Sequence, residues 1–145
     1  MQLSQHFKLS EFTRSDNAKR LGIDNSPTPE HLENLKRLAA AAEVLRELFG
    51  VAITPSSGYR SPKLNAATPG SSPTSDHSQG LAFDFLPRGC TVAQAVAKIR
   101  ASGIKFDQLI DEPTWVHFGI GARMRQQVLI ARRMGPKGVM VYSPA

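Results

Sequence analysis

Two histidines and one aspartate form the clearest chemical pattern in the chain. His77 comes just before an apolar segment, residues 81–86, that contains Asp84, and His117 lies in a second apolar segment, residues 115–120. In each segment large apolar residues alternate with small or polar ones, which predicts a strand with one face in a core. Asp84 and His117 fall on the other face, so the three side chains can converge if the two strands lie close together in one sheet.

Two imidazoles and one carboxylate are a donor set that suits Zn²⁺. Three protein ligands leave the fourth position of a tetrahedral ion for water, which is typical of a catalytic zinc rather than a structural one. The alternative is that His77, Asp84 and His117 are unrelated polar residues, since a lone His or Asp in a strand is usually solvated. The alternation in both strands and the Ser- and Gly-rich stretch before His77 favour the metal site. Gly80 permits the turn between His77 and the strand.

Hydrophobic periodicity and capping residues indicate the elements that position this site. The predicted helices are a short arm over residues 7–22 capped by Ser10, a long helix that Thr28 caps and Gly50 ends, and a helix that Thr91 caps and that ends near Gly103. Strands are predicted at residues 51–56, 81–86, 106–110, 115–120 and 127–131, with a short apolar ending at residues 139–142. Residues 57–76 are rich in Gly, Pro and Ser and predict a long loop, which in a small domain is usually functional or disordered.

These elements predict an α+β fold in a single domain, residues 1–145, with a small, mainly antiparallel sheet and helices packed on one face. The composition agrees, because 41% hydrophobic and 21% charged residues are typical of a globular chain and not of a disordered one. Cys90 is the only cysteine, which excludes an intramolecular disulfide and a cysteine-based metal site. No apolar run is long enough to span a bilayer, and the amino-terminal residues lack the apolar stretch of a secretory signal.

The sequence is basic, with a net charge of +6 and a pI near 9.9. This balance favours contact with polyanions such as nucleic acid, anionic lipid or an anionic cell envelope. Nucleic acid ranks last, because the aromatic residues are set in apolar patterns and not interleaved with basic ones. A basic tail could bind an anionic envelope, with a merely solvated strand face as the alternative; its residues are Arg123, Arg125, Arg132, Arg133 and Lys137.

The segment from Ser75 to Asp84 resembles a known family signature. Ser75-x-His77-x-x-Gly80-x-Ala82-x-Asp84 is similar to the SxHxxGxAxD motif of the zinc D-Ala-D-Ala carboxypeptidases and VanX-type D,D-dipeptidases, a group that also contains bacteriophage L-alanyl-D-glutamate endolysins. Upstream, residues 57–62 (SGYRSP) resemble the SGYRS element of the family, and downstream Trp115-Val116-His117 resembles its last ligand motif. The resemblance covers roughly residues 8–130, with the three elements in the order of the family.

The resemblance implies the fold shared with the hedgehog signalling domain, a Zn²⁺ cofactor and peptidoglycan stem peptides as substrate. It also implies that Arg60 binds or polarises the scissile carbonyl, for which a planar, permanently charged guanidinium is suited. The alternative for Arg60 is an anion contact or a brace of the loop. Tyr59 and Ser75 are further candidates for substrate binding, and Ser75 has the alternative role of capping the turn before His77.

The sequence departs from the family at the position of the catalytic acid. In the best-known members this acid lies three residues before the last His, where this chain has Thr114. The nearest carboxylates are Asp111 and Glu112. We expect Glu112 to be the general base because its side chain has the longer reach, with Asp111 as the alternative.

The sequence therefore predicts a zinc metallopeptidase that hydrolyses peptide bonds in peptidoglycan stem peptides. We expect it to be a phage or prophage lysin. We expect a monomer without nucleic-acid partners, made in the cytoplasm of a bacterial host and acting on the wall after release. One alternative is a carboxypeptidase or dipeptidase that trims D-Ala-D-Ala. The other is a non-catalytic wall-binding or phage structural module on the same fold.

Overall fold

Five helices and five strands follow one another along the chain, and the computed structural model describes all residues from Met1 to Ala145. The helices are α1 (Leu9–Thr13), α2 (Asp16–Leu21), α3 (Pro29–Phe49), α4 (Pro62–Ala66) and α5 (Val92–Ser102). The strands are β1 (Ala82–Phe85), β2 (Gln108–Asp111), β3 (Val116–Gly119), β4 (Gln127–Met134) and β5 (Val139–Pro144). A 3₁₀ turn, Asp76–Gln79, immediately precedes β1.

The five strands form one sheet in the order β1-β3-β2-β4-β5. Three of the four neighbouring pairs are antiparallel, and only β2 and β4 run parallel. Strand β3 lies antiparallel to β2 on one side of it, and β4 lies parallel to β2 on the other side. The predicted α+β fold with a mainly antiparallel sheet is confirmed.

One face of the sheet packs against α3 and α5. The large side chains of β1 and β3 alternate as predicted, so that Phe83, Phe85 and Phe118 are fully buried in the core. The apolar stripe of α3 and the inner face of α5 pack against these rings. The buried residues of the two helices are Leu35, Leu38, Ala42 and Leu45 of α3 and Ala95, Val96 and Ile99 of α5. Each such Leu, Ile or Phe stabilises the fold by roughly 1.5–3 kcal/mol. The opposite face of the sheet is thereby left free to line a groove.

Helix α3 confirms the predicted caps. The Thr28 side chain accepts a hydrogen bond from the His31 backbone, and Gly50 ends the helix with a φ of 67°.

None of the helices combines the length and the apolar character that a membrane crossing requires.

The single arm predicted over residues 7–22 is wrong, because two helices occupy it. Arg14 is extended and ends α1, and the Ser15 side chain caps α2 by accepting from the backbone of Ala18. Ser10, the predicted cap, instead lies inside α1, whose N-cap is Lys8.

The strand predicted at residues 51–56 is also wrong. This segment forms no ladder, and only an isolated bridge between Ser57 and Asp84 follows it on the outer edge of β1. At the other end of the chain the strands are longer than predicted. β4 continues to Met134, and the apolar ending becomes β5, because the turn at residues 135–138 lets the two segments pair as a hairpin.

Candidate active site

His77, Asp84 and His117 come together on the free face of the sheet. Asp84 and His117 are direct partners in the ladder between β1 and β3. The Oδ1 atom of Asp84 lies 3.2 Å from Nδ1 of His117 and 3.4 Å from Nε2 of His77. One potential ligand atom from each residue lies within 4.8 Å of the others. The structure thus brings together the three side chains that alternation along the strands had suggested.

The geometry of these atoms fits a tetrahedral zinc. Two ligand atoms that are each about 2.0–2.2 Å from such an ion are separated by about 3.3–3.6 Å. The distances from Asp84 to the two imidazoles, 3.2 and 3.4 Å, are close to this range. The other nitrogen of His77, Nδ1, lies 2.7 Å from the carbonyl oxygen of Gly58. Because a carbonyl only accepts, Nδ1 donates this hydrogen bond, which leaves Nε2 as the nitrogen that would bind a metal.

The turn that carries His77 depends on two small residues. Ser75 caps it, since its hydroxyl oxygen accepts a hydrogen bond from the His77 backbone. Gly80 ends it with a φ of 75°, and a Cβ at this position would lie 2.8 Å from the carbonyl oxygen of His31. Gly80 therefore permits both the left-handed turn and the close contact with α3.

The two imidazoles set the charge state of Asp84. Burial by itself would raise the pKa of this carboxyl, but attraction to His77 and His117 more than offsets that effect. The net pKa of Asp84 lies well below its usual range, so the group is an anion at every pH at which a metal ligand is needed.

Glu112 lies in the same groove as the three candidate ligands. Its side chain follows β2, the residue is 5% exposed, and its Oε2 atom is buried without a hydrogen-bond partner. Burial first, and then the negative charge of Asp84, raise the pKa of Glu112 to about 7. A carboxyl with this pKa can both accept and donate a proton near neutral pH, whereas a nearby cation would lower the value.

Asp111 points to the opposite face of the sheet. Its Oδ1 atom accepts a hydrogen bond of 2.8 Å from Arg132, and its backbone oxygen accepts a second one from the same guanidinium. Neighbouring residues of a strand face opposite sides, so Glu112 and not Asp111 shares the groove with His117. Thr114, at the position where the family has its acid, is exposed and does not line the groove.

Arg60 lines the groove on the outer side of β1. Its backbone N–H donates to the carbonyl of His77, and one terminal nitrogen donates to the Ser75 hydroxyl at 3.2 Å. Burial lowers the pKa of Arg60 and the negative charge of Asp84 partly offsets this, and a guanidinium keeps its charge in proteins. No carboxylate bonds to this guanidinium, and its Nε atom is buried without a partner. Ser75 therefore both caps the turn and holds Arg60.

Tyr59 does not line the groove. It is 2% exposed, its ring belongs to the core, and its hydroxyl bonds to Nδ1 of His31 at 2.8 Å. The expectation that Tyr59 contacts the substrate does not agree with this placement, because both its ring and its hydroxyl are engaged inside the protein. His31, at the start of α3, is half-buried by the same contact.

Asn25 is a residue of the site that sequence reasoning missed. Its amide nitrogen donates to the carbonyl of Tyr59 at 3.0 Å, and its amide oxygen accepts from the backbone of Ser61 at 2.7 Å. The one side chain thus holds the backbone on both sides of Arg60. No motif signals this role, since Asn25 lies in the irregular segment between α2 and α3, far along the chain from the loop that it holds.

The groove has a volume of about 840 Å³ and extends across the sheet from Arg60 to the β4–β5 hairpin. Asp107 and Arg125 lie at one end, where the guanidinium binds the carboxylate through contacts of 2.8 and 3.0 Å. Of the basic tail, Arg125 and Arg132 are therefore engaged in ion pairs with Asp107 and Asp111.

Comparison with known proteins agrees with this site. The family model described as Peptidase M15 matches residues 5–119, a range that contains the three candidate ligands as well as Arg60 and Glu112. No curated protein matches the chain. The family match covers most of the chain and confirms the resemblance found in the sequence motifs. The chain therefore belongs to the peptidase M15 family.

Proposed function

We propose that this peptidase hydrolyses peptide bonds in peptidoglycan stem peptides with a Zn²⁺ ion held by His77, Asp84 and His117. The observation that carries the proposal is the convergence of two imidazoles and one carboxylate in a groove that also holds a carboxyl with a pKa of about 7, that of Glu112. When bound, Zn²⁺ acts as a Lewis acid towards the scissile carbonyl and makes water a stronger nucleophile at neutral pH.

The residues of the groove then have separate tasks. Arg60 donates hydrogen bonds to the scissile carbonyl oxygen and stabilises the negative charge that develops there. Glu112 accepts a proton from the attacking water and donates it to the departing amine, so that one carboxyl serves as base and then as acid. Asp84 keeps its negative charge throughout, because its pKa lies far below that of Glu112.

The extent of the groove supports an endopeptidase over an enzyme that trims D-Ala-D-Ala. Lining residues lie on both sides of the metal ligands, with Arg60 beyond the outer edge of β1 and Tyr142 on β5 at the far edge of the sheet. A chain that continues in both directions from the scissile bond would fill this groove, whereas a terminal dipeptide would fill little of it. We propose a phage or prophage lysin that acts on the wall after release, and the exposed residues of its basic tail, such as Arg123 and Lys137, favour an anionic envelope.

The test is digestion of purified cell wall, with mass spectrometry of the products and with zinc content measured on the same samples. Released stem peptides or cleaved cross-links are the expected products, and a chelator should abolish them. Loss of only a terminal D-Ala would support the carboxypeptidase. No product at any zinc concentration, together with wall binding, would support a non-catalytic module and overturn the proposal.

A further inference from the structure

The β4–β5 hairpin forms one wall of the groove, at the end that is distant from Arg60. Alternation along β4 turns Leu129, Ala131 and Arg133 towards the groove, and the pairing register sets Tyr142 opposite Ala131 and Met140 opposite Arg133. Ala131 is fully buried. Tyr142 is the cross-strand partner of Ala131 and lines the groove in which Glu112 also lies.

Arg132 and Arg133 are adjacent but differ in what they contact. Arg132 points to the helix-facing side of the sheet and is engaged with Asp111. Arg133 lines the groove, and the only hydrogen bond of its side chain is a long one of 3.3 Å to the Gly138 carbonyl in its own hairpin. Its guanidinium therefore remains available for a ligand.

Arg133 and Tyr142 line the groove that also holds Glu112 and Asp84. The positive charge of Arg133 acts to lower the pKa of Glu112. Burial first, then the negative charges of Glu112 and Asp84, raise the pKa of Tyr142, which keeps its hydroxyl protonated and able to donate. Tyr142 is 53% exposed, so it presents both its ring and its hydroxyl to a bound peptide.

We infer that the β4–β5 hairpin is a specificity wall, in which Arg133 binds a free carboxylate of the peptide substrate and Tyr142 packs against its backbone. A planar guanidinium forms two parallel hydrogen bonds with a carboxylate, which an amide cannot match. The hairpin lies beyond residues 5–119, the range that the family model covers. The inference rests on the proposed function, because it assumes a stem peptide in the groove.

The experiment measures binding and cleavage separately. Binding is measured by calorimetry on the zinc-loaded Glu112→Gln variant, which keeps the groove but lacks the proton-transferring group. The probes are three synthetic stem tetrapeptides whose second residue is a γ-linked D-glutamate. The first has the carboxylates of this residue and of the C-terminus free, the second is amidated at the D-glutamate, and the third is amidated at the C-terminus. Each is measured again after adding Arg133→Gln, Tyr142→Ala or, as the matched control, Arg132→Gln, which removes the same charge from the opposite face.

Amidation of the recognised carboxylate should raise the Kd about ten-fold, since one charge-assisted contact of about 1.4 kcal/mol is lost. The two amidated probes show whether the second residue or the C-terminus supplies it. This discrimination should disappear with Arg133→Gln and persist with Arg132→Gln, while Tyr142→Ala should weaken all three probes. Equal Kd values for the three probes, or discrimination that survives Arg133→Gln, would overturn the inference. Cleavage of the probes by the wild type tests the proposed function independently. Selective binding without cleavage would contradict the proposed peptidase function and leave the carboxylate recognition by Arg133 in place.

Discussion

Asp84 and His117 occupy directly opposite positions in the antiparallel pair β1 and β3, with Oδ1 and Nδ1 3.2 Å apart. Side chains that face each other across a ladder are held at short range by the backbone itself. His77 reaches the same point from the turn before β1, so two of the three candidate ligands come from one short stretch of chain. The strand ladder and the turn thus determine the relative positions of the three candidate ligands.

Removal of one ligand should abolish metal binding and its stabilising effect. We expect Asp84→Ala to lose stoichiometric Zn²⁺, whereas Asp16→Ala, which changes an exposed aspartate of α2, retains it. A ligand that binds only the folded state stabilises it by about 4 kcal/mol at 1,000 times its Kd. The Tm of the wild type should therefore rise on zinc addition and that of Asp84→Ala should not. A zinc-dependent Tm in Asp84→Ala would contradict the proposed ligand set.

Glu112→Gln should lose hydrolysis and keep its metal. The amide has nearly the same shape but cannot accept the proton of water, and loss of a general base typically costs about 10²–10⁴-fold in rate. The comparison variant is Asp111→Asn, which removes the ion pair with Arg132 on the other face. We expect it to retain activity and to lose about 1 kcal/mol of stability, because the Arg132 side chain is 48% exposed and the amide oxygen can still accept its hydrogen bond. The measurements are kcat and zinc content. An inactive Asp111→Asn beside an active Glu112→Gln would reverse the assignment.

The stability of the zinc-free protein should fall as the pH rises from 5 to 8. The Glu112 carboxyl has a reference pKa of 4.5 and a folded-state pKa of about 7. Between these values the folded chain retains a proton that the unfolded chain has released, so the folded state loses stability through this window and reaches a plateau above it. The loss should be of order 1–3 kcal/mol.

Urea unfolding in the presence of a chelator measures this effect, as the difference in midpoint between pH 5 and pH 8. Glu112→Gln cannot ionise, so its midpoint should change less over this range than that of the wild type. Equal changes in the two proteins would mean that Glu112 is not the group responsible.

Asn25→Ala should reduce activity through Arg60. Loss of the two hydrogen bonds that hold the backbone around Arg60 should displace its guanidinium, and small displacements of this kind can cost about 10–100-fold in kcat/KM. In the Arg60→Ala background the same change should have little further effect, because the two residues act as one unit. Asn17→Ala, on the exposed side of α2, is the control. Additive losses in the double variant would show that Asn25 acts on the fold in general.

The sequence was informative where a local pattern determines the structure. Alternation along β1 and β3 identified the faces of Asp84 and His117, and the capping residues Thr28 and Thr91 identified two helix starts. Both signals depend only on neighbours along the chain, so they can be seen without knowledge of the tertiary fold.

Other features depend on contacts between distant residues and left no local trace. Residues 51–56 have strand-like composition, but no partner strand pairs with them along the edge of β1. Tyr59 lies beside Arg60 in the SGYRS element, yet it packs into the core because its hydroxyl meets His31 of α3. Asn25 and Tyr142 come near the site only after the chain folds, which is why no spacing in the sequence points to them.

His77 is joined to the segment 58–60 at two points. Its backbone carbonyl accepts from the N–H of Arg60, and its ring donates to the carbonyl of Gly58. Any movement of the imidazole is therefore transmitted to the guanidinium two residues away from that carbonyl. Replacement of Zn²⁺ by a larger ion, such as Cd²⁺, would then alter the affinity for peptide as well as the chemical step. The KM for peptide would therefore depend on which ion is bound.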